Sequence, residues 1–311
     1  MTRAPLNRWW VKAAAQGALA AAPRAAALDD TLRRRMRGAY LSEDYFLSKW
    51  RHVTQHLRAL GNPGDRPLLK TRAVEIGTGW FPIVPLGLAV HGGTVVTIDT
   101  GQHLDAARVR LAMQRLSQLE AAGTITAASP ERMARLRELL LAPPPSSAAQ
   151  LLEPMGIRPV IADAQDLSQV PEAHGSNLLV SNNTLEHIPA EILAGIFREF
   201  LRVGSKSARM SHYIDLADHY AGFDPRITEF HFLTMSPTRW RLTNNRLGFQ
   251  NRLRIGDYRE LLSQTGWRVT REKLTRRPTR SLDGLRLVPP YDQVPIKELL
   301  VVKAHLVTTR A

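Results

Sequence analysis

A glycine-containing turn in the first third of the chain carries residues that could do chemistry. The segment EIGTG at 75–79 follows a short apolar run, and glycines there let the backbone approach a ligand and adopt positive φ. Asp99 stands about 20 residues beyond Gly79, the separation expected of an acid that accepts hydrogen bonds from ribose hydroxyls. The combination indicates a nucleoside site.

The turn does not suit a dinucleotide. The glycine turn that binds nicotinamide dinucleotides needs three glycines in the pattern G-x-G-x-x-G. Pro82 stands here in place of the third glycine. Glu75 also places a negative charge where a pyrophosphate would be repelled. The pattern therefore favours a ligand that carries a positive charge.

Alternating strands and helices must position these residues. Short β-branched apolar runs predict strands, and apolar residues at helical spacing predict the helices between them. Such a sheet is mostly parallel and is covered on both faces, and its last two strands, joined only by a loop, are expected to be antiparallel neighbours. The predicted strands are 72–76, 94–99, 158–162, 177–181, 208–214, 267–274 and 298–307, and the predicted helices are 85–90, 104–120, 130–141, 190–203 and 257–265.

Polar residues follow two further strands of this sheet. Asp163 comes directly after the third strand, and Asn182 and Asn183 follow the fourth. Ligands of open parallel sheets bind beyond the carboxyl ends of the strands. We therefore expect these side chains at the same edge as Glu75 and Asp99.

This ordered set resembles the class I S-adenosylmethionine-dependent methyltransferases. The resemblance covers roughly residues 70–275 and rests on VEIGTGW, TVVTID, IADAQDL, NLLVSNNTLEHIP and DYRELLSQTGWRV at 74–80, 94–99, 161–167, 177–189 and 257–269. It implies a doubly wound, Rossmann-like α/β sheet of seven strands in the order 3-2-1-4-5-7-6, with strand 7 antiparallel. A Rossmann-like domain that binds another nucleotide, or none, is the alternative, because fold alone does not fix function.

The resemblance also implies a role for individual residues. The cofactor S-adenosylmethionine would have its methionine ammonium oriented by Glu75, directly or through water, and its ribose held by Asp99. The glycines would make room, the residues after strand 3 would contact adenine, and the one at the end of strand 4 would line the methionine end. The implied cofactor site comprises Glu75, Gly77, Gly79, Asp99, Asp163, Ala164 and Asn182.

Histidines near strands 4 and 5 are candidates for the general base that methyl transfer to a hydroxyl requires. On strand 5, His212 and Ile214 share one face while Tyr213 and Asp215 share the other, so only one pair can face the site. Asp215 and His219 could form an oriented histidine–carboxylate pair. The candidate catalytic residues are His219, Asp215, His187 and His212, and His187 is equally consistent with a local hydrogen bond at a helix start.

The segment LEH at 185–187 is also similar to the ubiquinone-biosynthesis O-methyltransferases, in which a Glu and a Glu-His pair hold a divalent cation. Asn183 stands here in place of the first of those glutamates. We therefore expect no metal ligands, although Glu186 and His187 leave a divalent metal open.

Residues 220–256 form a long connection after strand 5. Long connections in compact domains are usually functional or disordered, and the aromatic residues argue against disorder. We expect a cap over the acceptor pocket whose arginines bind a phosphate or carboxylate, with a solvated arginine-rich face as the alternative. The aromatic residues are Phe223, Phe230, Phe232, Trp240 and Phe249, and the arginines are Arg239, Arg241, Arg246, Arg252 and Arg254.

The residues before the first strand form a separate segment. Residues 1–65 are expected to be helical at 9–22, 28–37 and 42–60 and to close over the cleft, leaving 66–311 as the methyltransferase-like domain. Phe46, Trp50, Val53 and Leu57 recur at helical spacing and predict a buried face. The alanine-rich helix 9–22 is too short to span a membrane and is expected on the domain or at a membrane interface.

Composition narrows the class of protein further. The 311-residue chain has no cysteine, which excludes disulfide scaffolds, thiolate metal sites and thiol nucleophiles. Together with the lack of a spanning segment, this predicts a cytoplasmic protein. The net charge of +14, whose basic excess lies in 1–60 and 198–286, suits either an anionic partner or a solvated arginine-rich surface.

These observations predict an enzyme that transfers a methyl group by in-line displacement to an oxygen or nitrogen of a small-molecule, glycan or lipid-linked acceptor, which could be anionic. An RNA methyltransferase is the alternative that the charge favours. Base-modifying enzymes carry an aromatic clamp after strand 4, and SNNT at 181–184 lacks it. A non-enzymatic cofactor-binding subunit is a third possibility.

Overall fold

The computed structural model describes residues 8–21, 41–62, 64, 68, 70–245 and 247–311. The expected helix 28–37 and Arg246 lie outside these residues. The described strands are β1 (Arg72–Ile76), β2 (Thr94–Asp99), β3 (Ile157–Ile161), β4 (Ser176–Asn182), β5 (Gly204–Asp215), β6 (Trp267–Arg276) and β7 (Val301–Arg310). The described helices are α1 (Trp9–Ala21), α2 (Glu43–Ala59), α3 (Ile83–Val90), α4 (Ala106–Ala121), α5 (Pro130–Leu141), α6 (Ala149–Leu152), α7 (Ala190–Val203), α8 (Pro237–Thr243), α9 (Ile255–Gln264) and α10 (Ile296–Leu299).

The seven strands form one sheet in the order β3-β2-β1-β4-β5-β7-β6. Strands β3, β2, β1, β4 and β5 are parallel to one another, and β7 is antiparallel to both β5 and β6. This confirms the expected order and the antiparallel last strand. The carboxyl ends of β1, β2, β3, β4 and β5 consequently meet at one edge, where the site must lie.

The central strands are buried on both faces, as their continuous apolar sequences require. Alternate residues of one strand enter different cores: Val95 of β2 packs with α2–α5, and Val96 packs with α7 and α9. The same alternation places Leu178 and Leu179 of β4 in opposite cores. The sheet thus holds the site edge rigidly between two packed layers.

Element boundaries differ from expectation mainly at the starts of β5 and β7. Strand β5, expected at 208–214, begins four residues earlier, at Gly204. The predicted strand at 298–307 begins instead at Val301, because Pro295 starts the short helix α10 over 296–299. The two final strands are antiparallel neighbours as predicted, and Lys273 pairs with His305.

The two described N-terminal helices pack on the sheet and on the long connection. The predicted face of α2 is buried, including Phe46, Trp50 and Val53. Helix α1 lies on the domain, where the backbone N–H of Trp9 donates to Asp224 at 3.0 Å. None of the described helices is both long enough and apolar enough to cross a membrane.

Candidate functional site

A cleft of about 1780 Å³ opens at the carboxyl ends of β1, β4 and β5. Its walls come from the glycine turn, α1, α2, the segment that follows β5, and the last two strands, β6 and β7. Parallel strands end at this edge, so the backbone ends and polar side chains there are available to a ligand.

Glycine is needed at the two positions of the turn for different structural reasons. Both have left-handed backbones, with φ of 70° at Gly77 and 67° at Gly79. A Cβ on Gly77 would come within 2.3 Å of the Thr184 side chain, whereas a Cβ on Gly79 would meet nothing within 4 Å. Gly77 is therefore required by internal packing, and Gly79 borders open space.

The Glu75 carboxylate is buried where β1 meets the turn, with 2% of the residue exposed. It accepts hydrogen bonds from Thr78 Oγ1 at 2.8 Å and from Asn182 Nδ2 at 3.1 Å. Burial raises the pKa of Glu75 to about 7, and these two hydrogen bonds and the Lys49 ammonium oppose that rise. A buried acid with a raised pKa is stabilised in its charged form by a nearby cation, so Glu75 favours a cationic ligand in the cleft.

Asn182 connects Glu75 to two histidines of α2. Because its Nδ2 donates to Glu75, its Oδ1 accepts from His52 Nδ1 at 2.9 Å and from His56 Nε2 at 3.1 Å. Burial lowers the pKa of His52 to about 3 and that of His56 to about 4. Both rings are therefore neutral at physiological pH, and each has its N–H on Asn182.

The hydrogen-bond chain continues through the sheet. With Nε2 protonated, His56 Nδ1 is a bare acceptor for the Ser211 hydroxyl at 2.8 Å, and Ser211 Oγ in turn accepts from His305 Nε2 at 2.8 Å. Burial lowers the pKa of His305 to about 2. The chain fixes every tautomer from His305 to Asn182 and thereby the orientation of the amide beside Glu75.

Tyr213 and Asp215 are the strand-5 pair that lines the cleft. The Tyr213 ring stacks between His52 at 3.7 Å and His305 at 4.3 Å between ring centroids. Tyr213 and His305 are neighbours because β5 pairs with β7 in a register that places them opposite each other. The stack makes an aromatic floor beside Asn182.

His212 was expected among the candidate bases, and that prediction is wrong. Its side chain is 1% exposed on the other face of β5, where Nδ1 bonds Ser181 Oγ at 2.8 Å. Its ring lies 5.8 Å from that of Phe197 and 6.3 Å from that of Phe200. The strict alternation of side chains along a strand sends it into the core when Tyr213 faces the cleft.

The expected pairing of Asp215 with His219 does not occur. Asp215 accepts instead from the backbone N–H of Ala217 at 3.0 Å, because the chain turns directly after β5. His219 lies beside His187, with ring centroids 5.0 Å apart. Its ring is exposed in the open cleft, but the surrounding walls desolvate it and lower its pKa to about 4.

His187 has a defined tautomer. Its Nδ1 lies 2.7 Å from the Phe249 carbonyl oxygen, which can only accept, so Nδ1 carries the proton. In the neutral form of the ring, Nε2 carries a lone pair. Ligand atoms of Glu186, His187 and His219 lie within 4.8 Å of one another, close enough to share one metal ion. The expectation that no metal binds stays a prediction.

Two comparisons with known proteins found no match: neither a family model nor a curated protein matches this chain. Among solved structures it is similar to a magnesium protoporphyrin IX methyltransferase from Synechocystis, at 12% identity over 92% of this chain and 94% of that chain, with a TM-score of 0.48. It is also similar to a mitomycin 7-O-methyltransferase, at 11% identity over 99% of this chain and 69% of that chain, with a TM-score of 0.44.

The strand order, with an antiparallel β7 between β5 and β6, decides the fold. This is the class I methyltransferase fold. The chain therefore has the architecture that its sequence motifs imply, with the glycine turn after β1 at the centre of the site edge.

The remaining cofactor residues predicted for this methyltransferase fold lie on the β2–β3 side of the glycine turn. The Asp99 carboxylate accepts from the backbone N–H of Gly79 at 3.2 Å and of Thr100 at 2.9 Å. Asp163 is exposed after β3, and Ala164 beside it is 8% exposed. Their expected contacts with ribose and adenine stay predictions.

The arginines of the long connection do not line the cleft of the methyltransferase fold. Arg254 is 1% exposed and donates to the carbonyls of Leu216 and Leu299 at 2.7 and 2.8 Å. Arg252 donates to the Phe232 carbonyl at 3.1 Å. Neither Arg239 nor Arg241 is among the residues that line the cleft. The expectation that these four described arginines bind the acceptor is wrong, because buried Arg254 and half-buried Arg252 satisfy backbone carbonyls and the other two do not line the cleft.

Sequence reasoning missed the polar stripe of α2 that faces the site. Lys49, His52 and His56 stand at positions i, i+3 and i+7, one face of a helix. The Lys49 ammonium donates to Asn183 Oδ1 at 2.9 Å, and burial lowers its pKa. The helical spacing of these three polar residues could have indicated that they face the site. The apolar pattern of the same helix is stronger and drew the interpretation to the buried face.

Proposed function

We propose that this protein binds S-adenosylmethionine in the cleft and catalyses transfer of its methyl group to a small-molecule acceptor. The observation that carries the proposal is the buried Glu75 carboxylate, held by Thr78 and Asn182 at the end of β1. Its raised pKa reflects a negative charge that burial destabilises and that a bound cation would stabilise.

The donor groups present fit the cofactor. Glu75 would hold the ammonium group, and Asp99, bonded to the Gly79 backbone, would accept from the ribose hydroxyls. The open space over Gly79 leaves room for a ligand to pass between these two acids. Asp163 and Ala164 would contact the base, and Asn182 would line the methionine end.

When bound, the cofactor supplies an electrophilic methyl group to a nucleophile placed in line with the breaking C–S bond. The protein has to orient the acceptor atom, exclude water and receive a proton. His187 Nε2 is the base that we assign, since the Phe249 carbonyl holds Nδ1–H. His219, whose pKa desolvation by the cleft walls lowers to about 4, would position the acceptor beside it.

Two segments would exclude water from the reaction. Helix α1 and residues 217–230 form part of the cleft wall, and the Lys12 ammonium lies 4.9 Å from the Phe223 ring centroid. We assign the N-terminal segment 1–65 as the lid and the insertion 220–256 as the acceptor-site cap. A walled cleft of this kind favours a small acceptor over an RNA duplex.

Calorimetric titration with S-adenosylhomocysteine tests the proposal. We expect dissociation constants in the micromolar range for the intact protein and a loss of roughly 1–3 kcal/mol for Asp99→Ala. Asp292→Ala, at an exposed position that does not line the cleft, is the matched control. No binding by the intact protein would overturn the assignment, and binding would be followed by an acceptor screen for product release.

A further inference from the structure

Four basic side chains line the cleft at the side away from Glu75. Arg51 and Arg58 belong to α2, Lys273 to β6 and Lys303 to β7. All four are exposed, and among the described residues none of them forms an ion pair. This cluster is separate from the arginines of the long connection.

Strand register brings the two lysines together. Tyr213 pairs with His305, which pairs with Lys273 on the next strand, and Lys303 lies two residues before His305. Directly paired residues share a face, so Lys273 and Lys303 are diagonal neighbours about 7–8 Å apart. Their flexible stems can bring both ammonium groups to one anion.

Acidic groups near these lysines offset only part of the positive charge. Asp215 is opposite Lys303 on β5, and the two side chains attract each other electrostatically. Glu229 is bound to Arg277, at 2.7 Å between Glu229 Oε1 and the guanidinium Nη2. The β6 edge is therefore positive, whereas the β1–β4 side of the cleft carries the acids Glu75 and Glu186.

The two ends of the cleft thus suit ligand groups of opposite charge. We propose that the acceptor carries a phosphoryl group, which Lys273, Lys303 and Arg58 bind at the β6 edge; this rests on the proposed methyl transfer. Three cations from three elements exceed what one carboxylate needs and match a phosphate or diphosphate. His187 follows β4, and three strand spacings separate β4 from β6, so the phosphoryl group lies about 14 Å from the base site along the sheet.

The test uses inorganic pyrophosphate as the probe, titrated calorimetrically into the full chain saturated with S-adenosylhomocysteine. We expect binding that weakens about tenfold in the double variant Lys273→Ala/Lys303→Ala. The control Lys206→Ala/Lys297→Ala removes the same charge from exposed positions outside the cleft and should bind pyrophosphate as the parent does. A second arm measures cosedimentation with phosphatidylcholine vesicles that contain phosphatidic acid.

Each outcome decides the proposal. If the lysine variant loses pyrophosphate binding, the acceptor is a soluble phosphorylated molecule. If the variant loses only vesicle binding, the acceptor is a phospholipid. No binding in either arm, or equal weakening in the control variant, overturns the phosphoryl site. S-adenosylhomocysteine binding is recorded in the same samples, so failure of the proposed function shows separately as loss of that signal in the parent protein.

Discussion

The Asn182 amide donates to the Glu75 carboxylate over 3.1 Å while its oxygen accepts from two imidazoles of α2. A residue at the tip of β4 thereby sets the orientation of an acid at the tip of β1. His56, one of the two imidazoles that contact Asn182, has no exposed surface. The arrangement predicts that residues outside the glycine turn control cofactor affinity.

Asn182→Ala should weaken S-adenosylhomocysteine binding by about 1–2 kcal/mol, because Glu75 and both histidines lose a partner. Isothermal titration calorimetry measures the change. Asn177→Ala, near the opposite end of β4, is the control and should bind normally. Unchanged affinity in Asn182→Ala would remove the amide from cofactor binding.

Cofactor affinity should rise with pH through neutrality. The pKa of Glu75 is raised to about 7 by burial, so below that pH the ligand must displace a proton before its ammonium can pair with the carboxylate. The dissociation constant should fall between about pH 6 and about pH 8, by at most about tenfold per unit. Glu75→Gln has no such proton and should show a flatter profile; parallel profiles for the two proteins would refute this role.

The two glycines of the turn should respond differently to alanine. Gly77→Ala combines a positive φ with a 2.3 Å approach to Thr184 and should destabilise the fold by about 3 kcal/mol in urea unfolding. Gly79→Ala should cost about 1 kcal/mol of stability but weaken cofactor binding at least about tenfold.

Gly123→Ala is the matched control for Gly79→Ala. Gly123 has a φ of 70°, close to the 67° of Gly79, and a Cβ added there would also meet open space, but Gly123 lies outside the cleft. The two variants should therefore lose similar stability, and only Gly79→Ala should lose affinity. Equal affinities would show that the space over Gly79 is not used.

His212 should make the fold sensitive to acid. Burial lowers its pKa from 6.5 to about 3, so below about pH 6.5 the unfolded chain binds a proton that the folded chain does not. The free energy of unfolding should fall by roughly 1 kcal/mol per pH unit from this residue alone. His212→Asn should show a smaller loss between about pH 7 and about pH 5, and an identical loss would assign the acid sensitivity to other groups.

Once an acceptor is identified, His187→Ala should reduce turnover by about 10²–10³-fold while S-adenosylhomocysteine affinity stays within about twofold. His219→Ala should raise KM for the acceptor more than it lowers kcat. Both are measured by product release under saturating cofactor. A reversed pattern would exchange the roles of base and positioning residue.

Much of the fold was predictable because its signals are local. The apolar runs and the motifs at 74–80 and 94–99 fixed strand positions to within a few residues, and the strand order followed from the resemblance. The positive φ at both glycines also followed from their residue type. The exceptions were the start of β5, four residues before the predicted position, and the start of β7, where Pro295 and a helical turn displaced the strand.

By itself, the sequence determined the elements and the acids at the tips of β1 and β2, since periodicity and turn chemistry act over a few residues. Only the tertiary structure decided which polar side chains meet. The β5–β7 register turned Tyr213 to the cleft and His212 to the core, and packing of α2 brought His52 and His56 to Asn182. The contacts of α2 with Asn182 join residues more than a hundred positions apart, and the β5–β7 pairs join residues about ninety apart, so no local pattern specifies such pairings.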